Sequence, residues 1–213
     1  YEACLEEALG MALAHRVRVL LYNGRGVGRS LGRELTCADE VVDCEAVLRY
    51  AAQHSEHVAV VAFSLGAAVC TVALGRLRRA GVFAAAEPGL LVSRRSFTNL
   101  AAAAARLCVA APLVPAMQGL LRGLLFVTGA DPLDAAQVLR TTRVARKVVI
   151  TGIEDDDVIG DGARLAQGVA PGSRTANRIE YISRPGCDHD DFAVETADVE
   201  ASIRRWRASC APY

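Results

Sequence analysis

Two hydrophobic periodicities alternate along the chain. Segments with apolar residues at every third or fourth position predict helices, and short runs rich in Val, Leu and Ile predict strands. The predicted helices cover residues 2–14, 37–53, 65–80, 96–125 (interrupted by two prolines), 132–140, 161–167 and 195–208. The predicted strands cover residues 17–22, 57–63, 89–92, 147–151 and 178–182.

This alternation predicts an α/β fold, with a mostly parallel central sheet flanked by helices on both faces. The strand at 57–63 is largely apolar, as expected of a central strand that is covered on both sides. No repeat or linker divides the chain, so we predict a single domain over residues 1–213. Residues 94–125 are interpreted either as a small lid or as crossover helices.

Composition and charge exclude several classes of function. Lys+Arg and Asp+Glu both number 24 and aromatic residues make up 5%, which argues against a nucleic-acid surface. No run of 18 apolar residues occurs, so we expect no membrane span. The seven cysteines include no C-x-x-C pair, which favours a reducing, cytoplasmic compartment and no structural zinc.

The most informative candidate for chemistry is Ser64. It ends the apolar run at 57–63 and is followed at once by helix-forming residues, in the pattern A-x-S-x-G. A strand that turns directly into a helix at a serine is the context of a nucleophile elbow, and the tight turn favours small residues at Ala62 and Gly66. The alternative interpretation is that Ser64 is an ordinary helix N-cap.

Polar residues follow two further predicted strands. Residues 154–157 form an acidic run after the strand at 147–151, and His189 lies in the loop after the strand at 178–182. Parallel strands bring such loops to one edge of the sheet, where ligands bind. The order Ser, Asp, His along the chain is the order of the α/β-hydrolase triad.

The chain resembles the α/β-hydrolase superfamily over most of its length. Residues 22–30 resemble the family's D-x-R-G-x-G-x-S loop, with Asn23 where Asp is common. Residues 62–66 resemble its elbow, residues 152–159 its G-x-x-D-x-V-[IV] segment, and residues 186–192 its G-x-x-H-x-x-F segment. Four such segments in order are more specific than any one of them.

The resemblance implies a serine hydrolase that cleaves an ester, thioester or amide through an acyl-enzyme, with a small-molecule or acyl substrate and no cofactor or metal. Ser64 would be the nucleophile and His189 the general base. Asp156 best fits the family spacing for the acid, with Asp155 and then Asp157 as alternatives. The acidic run is alternatively a solvated loop, and the oligomeric state is not indicated.

The resemblance also implies an oxyanion hole. The backbone N–H of Leu65 would be one donor, and the family takes a second from a loop that precedes its first helix. Because the chain begins at that helix, we expect it to lack the family's N-terminal strands and this second donor, and we expect low activity from this segment alone.

Three other functions compete with hydrolysis. The glycine-rich segment 24–28 has the pattern G-x-G-x-G rather than G-x-G-x-x-G and does not open a helix, which disfavours nucleotide binding. We expect Arg25 and Arg29 to hold that loop against the elbow instead. A non-catalytic binding or scaffold protein of the same fold, and an acyltransferase that uses the same three residues, both stay open.

Overall fold

The computed structural model describes residues 2–33, 36–83, 87–128, 133–160, 163–169, 177–186, 188–190 and 193–210. Its helices are α1 (Glu2–His15), α2 (Cys37–His54), α3 (Ser64–Arg79), α4 (Leu100–Cys108), α5 (Val114–Thr128), α6 (Ala135–Thr141), α7 (Leu165–Gly168) and α8 (Ala193–Cys210). Its strands are β1 (Ala59–Phe63), β2 (Leu90–Arg94), β3 (Lys147–Ile153) and β4 (Ile179–Arg184).

The four strands form one parallel sheet in the order β1-β2-β3-β4. Phe63 lies opposite Arg94, and Arg94 lies opposite Thr151, so the carboxyl ends of the first three strands meet at one edge. β4 pairs with β3 in the same direction and extends to that edge. The predicted α/β fold with a mostly parallel sheet is therefore confirmed.

Apolar side chains fill both faces of the sheet. On one face Leu91, Val148 and Ile150 join a large core that includes residues of α2, α3 and α6. On the other face Val92 and Val149 pack with residues of α8 in a smaller core. Because alternate residues of a strand point to opposite faces, the inner strands must be apolar at nearly every position.

The predicted strand at residues 17–22 is wrong. These residues are described but form no strand, and Val19 and Leu20 are 40% and 50% exposed. Among the described residues β1 pairs only with β2, so no strand lies beside 17–22 to share a hydrogen-bond ladder. A β-prone sequence needs a neighbouring strand for its N–H and C=O groups.

The predicted helix at 161–167 is reduced to the single turn α7, and its first two residues lie outside the described part of the chain. The segment before α7 is extended because its backbone bonds to another segment. Thr98 N–H donates to Ala163 O, and Leu165 N–H donates to Ser96 O. These bonds take the place of intrahelical ones.

Residues 94–125 divide into a buried part and an exposed part. Residues 94–99 are buried, and α4 buries an alanine face behind its N-cap Asn99, which accepts a hydrogen bond from Ala102 N–H. Helix α5 buries none of its described side chains, and Leu120 and Phe126 are 66% and 87% exposed. Pro112 lies in a short 3₁₀ turn (Ala111–Leu113) between these two helices, and Pro115 is the second residue of α5.

The glycine-rich loop is held by α2. The Arg25 guanidinium pairs with Asp39 at 3.1 Å and with Asp43 at 2.6 Å. Hydrogen bonds from the Arg25 side chain hold the pKa of the Asp43 carboxyl below its usual range. Arg25 thus contributes to the structure of this loop, as expected, but its carboxylate partners lie on α2 and not at the elbow.

Candidate active site

Ser64 occupies a sharp junction between β1 and α3. Phe63 ends the strand, and Ser64 is the first residue of the helix with φ of +48°, in the left-handed region that a non-glycine residue rarely adopts. Such strain is maintained only when surrounding structure enforces it. The backbone therefore presents the half-buried Ser64 side chain at the carboxyl edge of the sheet.

The imidazole of His189 bridges Ser64 and Asp156. His189 is buried in the loop after β4, and its Nε2 lies 3.0 Å from Ser64 Oγ. Its Nδ1 lies 2.8 Å and 3.0 Å from the two carboxylate oxygens of Asp156. With the ring proton on Nδ1, donated to Asp156, the ring leaves Nε2 free to accept the serine proton.

The Asp156 carboxylate is fixed by its own loop. Its Oδ1 accepts hydrogen bonds from the N–H groups of Ile159 at 2.6 Å and Val158 at 3.0 Å. Burial raises the pKa of the Asp156 carboxyl, but hydrogen bonds from His189 and Ile159 lower it more, so the net pKa lies below its ordinary value. Asp156 is therefore ionised at neutral pH beside the imidazole.

The two alternative acids have different surroundings. Asp155 is exposed, and its backbone N–H donates to Gly186 O. Asp157 is also exposed, but its Oδ1 accepts a hydrogen bond from the backbone N–H of His189 at 2.9 Å. The structure thus places Asp156 at the ring of His189 and Asp157 at its backbone.

One contact at the ring has no obvious sequence signal. The Phe63 ring packs against the His189 ring with centroids 4.9 Å apart and planes tilted by 43°. Phe63 directly precedes the serine, so its position follows from the elbow, but an apolar residue within an apolar strand does not stand out in the sequence. The contact limits the orientations that the imidazole can adopt.

The start of α3 is suited to binding a negative charge. The first N–H groups of a helix lack intrahelical acceptors, and the N–H of Leu65 belongs to that first turn. Gly66 makes no close contact with another element: apart from its chain neighbours and the backbone of its own helix, a Cβ built there meets no heavy atom of the described residues within 4 Å. That the tight turn itself needs a small residue at this position stays a prediction.

Two further features bear on the chemistry. Across the described residues, no group of three or more His, Cys, Asp and Glu side chains lies close enough together to hold a metal ion. Within the same part of the chain, no helix is both long enough and apolar enough to cross a membrane.

Comparisons with known proteins agree with the α/β fold. A family model described as "Alpha/beta hydrolase family" matches residues 4–204. No curated protein matches the sequence.

Several solved structures share the fold. The esterase Pf2001 of Pyrococcus furiosus superposes with a TM-score of 0.65 and 17% identity, covering 95% of this chain and 76% of that chain. A structure from work on the metagenome-derived lipolytic enzymes LipS and LipT superposes with a TM-score of 0.58 and 16% identity, covering 95% of this chain and 88% of that chain. The type II thioesterase YbtT of the yersiniabactin pathway superposes with a TM-score of 0.51 and 14% identity, covering 96% of this chain and 88% of that chain. At these identities the similarity shows the fold alone.

Proposed function

This chain belongs to the alpha/beta hydrolase family, and on that premise we propose that it is a serine hydrolase that cleaves an ester, thioester or amide through an acyl-enzyme. One observation carries the proposal. Ser64 Oγ, the two ring nitrogens of His189 and the Asp156 carboxylate form a continuous hydrogen-bonded chain at the carboxyl edge of the sheet. The proposed reaction uses these side chains and backbone N–H groups.

Acylation begins with the transfer of the Ser64 hydroxyl proton to His189 Nε2. As the proton leaves, Oγ forms a bond to the acyl carbon, and the carbonyl electron pair moves onto oxygen. Asp156 stays ionised and stabilises the imidazolium that forms. The bond to the leaving group then breaks, and the leaving group takes the proton from Nε2.

The oxyanion needs donors that are already in place. The N–H of Leu65 is the proposed first donor, because the elbow fixes it beside the serine at the start of a helix. Loss of one such donor in other hydrolases costs roughly 10²–10³ in turnover, so this one N–H contributes substantially.

Deacylation repeats the same steps with water. Water gives a proton to His189 Nε2 as its oxygen bonds to the acyl carbon. The carbon–Oγ bond then breaks, the proton returns to Ser64, and a carboxylic acid leaves. Esters and thioesters are the first substrates to test, because similar structures include an esterase and a thioesterase.

Turnover by matched variants tests the proposal. We expect folded wild-type protein to hydrolyse a series of nitrophenyl esters and acyl thioesters. Ser64→Ala and His189→Ala should each lose roughly 10⁵–10⁶-fold in kcat, because triad members act as a unit. Ser209→Ala, an exposed serine near the end of α8, is the control and should keep wild-type activity.

The same assay separates the competing functions. Full activity in Ser64→Ala would refute the assignment of the nucleophile. A folded wild-type protein that turns over none of these substrates and whose Ser64 does not react with a fluorophosphonate would favour a binding or scaffold role. If the acyl group passes to an added alcohol or amine in preference to water, the protein is an acyltransferase with the same nucleophile.

Within the single predicted domain, we propose that the lid expected among residues 94–125 consists of α5. Helix α5 leaves apolar side chains in solvent, including Leu120 and Leu124, and it packs against α4. The test is the double variant Leu120→Gln/Leu124→Gln, assayed on esters from acetyl to dodecanoyl. KM for the long chains should rise with no change in melting temperature. An unchanged chain-length profile would contradict a lid role.

A further inference from the structure

We propose that Arg95 is a positioning residue for the proposed base His189, an inference that rests on the proposed function of Ser64 and His189. Arg95 directly follows Arg94, the last residue of β2. Its side chain is fully buried, and its φ of +47° places its backbone in the left-handed region. A long cation held inside the protein on a strained backbone needs a structural or functional reason.

The Arg95 guanidinium joins the His189 loop to α8. Its Nε donates to Glu195 Oε2 at 3.0 Å, and its Nη1 donates to Asp188 O at 2.8 Å. The same Nη1 also donates to His189 O. One rigid guanidinium thus fixes the carbonyl groups of two consecutive residues relative to the first turn of α8.

The opposite side of the His189 backbone is held separately. Asp157 accepts the hydrogen bond from His189 N–H, while Arg95 donates to the carbonyl of the same residue. With the backbone fixed on both sides, the imidazole has little freedom besides its own side-chain rotations. The Phe63 ring packs on the imidazole, and its centroid lies 6.0 Å from the guanidinium carbon of Arg95.

Stability alone is a weak reason to retain this arrangement. Glu195 is 0% exposed, and removing two charges from water carries a cost that their mutual attraction often fails to exceed. Apolar side chains of similar volume commonly do as well in such places. An apolar pair, however, cannot donate to the loop carbonyls, whereas the planar guanidinium can bind a carboxylate and carbonyls in fixed directions.

The neighbouring arginine provides a matched control. Arg94 is also buried and shares Glu195 at 3.4 Å, but it reaches Glu7 of α1 at 2.7 Å. Arg94→Lys therefore perturbs the contact with the same buried carboxylate, that of Glu195. Arg95→Lys perturbs this contact too, and it also removes the guanidinium that joins Glu195 to the backbone carbonyls of Asp188 and His189. A lysine ammonium is a compact donor on a flexible stem and cannot reproduce the fixed directions of the guanidinium.

Two readouts are needed, and only one of them depends on activity. The first is the rate of Ser64 inactivation by a fluorophosphonate probe, measured well below the melting temperature. The second is the proton NMR signal of the His189 ring N–H that is bound to Asp156, assigned by its loss in Asp156→Asn. We expect Arg95→Lys to slow inactivation roughly 10- to 100-fold, the range that about an ångström of misplacement costs, and to weaken the ring signal. Arg94→Lys should change both much less.

A second variant covers a failure of Arg95→Lys to fold. In Arg95→Met/Glu195→Met, apolar side chains replace the ion pair, which commonly preserves folding. This variant should keep a cooperative melting transition and show the same loss of rate and ring signal.

Wild-type rate and signal in either folded Arg95 variant would overturn the proposal, as would equal losses in Arg94→Lys. A wild-type protein that does not react with the probe, but whose ring signal depends on Arg95, would refute the proposed function and leave the positioning role standing.

Discussion

At the residue scale, the three side chains of the candidate site are held in three different ways. The strained backbone orients Ser64, and hydrogen bonds at both ring nitrogens orient His189. Asp156 is buried, and its carboxylate accepts hydrogen bonds from two backbone N–H groups and from the imidazole of His189. A change that keeps the size of Asp156 but removes its charge is therefore especially informative.

Asp156→Asn should reduce kcat on the order of 10⁴-fold, because an amide would hold the imidazole in the wrong tautomer. Steady-state turnover of the best ester measures the effect. Asp155→Asn is the matched control, since the neighbouring carboxylate is exposed, and it should stay near the wild-type rate. Equal losses in the two variants would contradict the assignment of Asp156.

The Asp156 carboxyl also predicts how stability depends on pH. Its pKa is lower in the folded protein than in the unfolded chain, so the unfolded chain binds more protons in acid. The contribution to the free energy of unfolding is complete above about pH 5, about one unit above the unfolded pKa, and is lost as pH falls through the lower folded pKa. Urea unfolding should show a wild-type advantage over Asp156→Asn that is constant near neutral pH and shrinks in acid. An advantage that grows in acid would contradict this sign.

Sequence reasoning reaches some of these residues and not others. The ends of apolar strands mark Ser64, the acidic run 154–157 and His189, and only the family spacing favours Asp156 within that run. The structure brings the side chains of Ser64, Asp156 and His189 together, while their catalytic role stays a prediction. Arg95 and Glu195 lie 100 positions apart, and nothing local marks their contact. Only the packing of α8 beside the end of β2 creates it.

At the element scale, α3 must both follow the elbow and pack closely on its neighbours. Gly75 is buried in the middle of α3, where it faces Val138 of α6. A Cβ at position 75 would lie 2.5 Å from Val138 Cγ1, on a β-branched side chain with little freedom to move. The glycine is therefore required by the contact between these helices.

Gly75→Ala should lower the free energy of unfolding, since overpacking costs about 1–3 kcal/mol and alanine regains only about 1 kcal/mol of helix propensity. Adding Val138→Ala should recover part of the loss in a double-mutant cycle followed by urea unfolding. Gly123→Ala in α5 is the control, because a Cβ there meets no described atom within 4 Å, and it should be neutral or stabilising. A Gly75→Ala variant as stable as Gly123→Ala would disprove the close contact.

The elements also show where local pattern stops determining structure. The run at 57–63 becomes strand β1 over Ala59–Phe63 because β2 lies beside it. The equally β-prone run at 17–22 has no such neighbour among the described residues and stays irregular. The hydrophobic periodicity indicates which secondary structure a segment can form, and the presence of a neighbouring segment determines whether that secondary structure forms.

At the scale of the whole molecule, the parallel sheet determines where chemistry can occur. All four strands run in one direction, so the loops that carry Ser64, Asp156 and His189 meet at one edge although they are far apart in sequence. The fold could be predicted from the alternation of strands and helices, because each inner strand had to be apolar on both faces. The exposure of the apolar side chains of α5 could not be predicted, because an apolar run in the sequence does not reveal whether another element covers that helix.

Covalent labelling of the folded protein by a fluorophosphonate, with the modified residue mapped by peptide mass spectrometry, tests the proposed nucleophile. We expect one adduct on Ser64, none on Ser64→Ala, and much slower labelling of His189→Ala. A folded protein that takes up no probe, or takes it up at another residue while Ser64 stays unmodified, would contradict the assignment of Ser64.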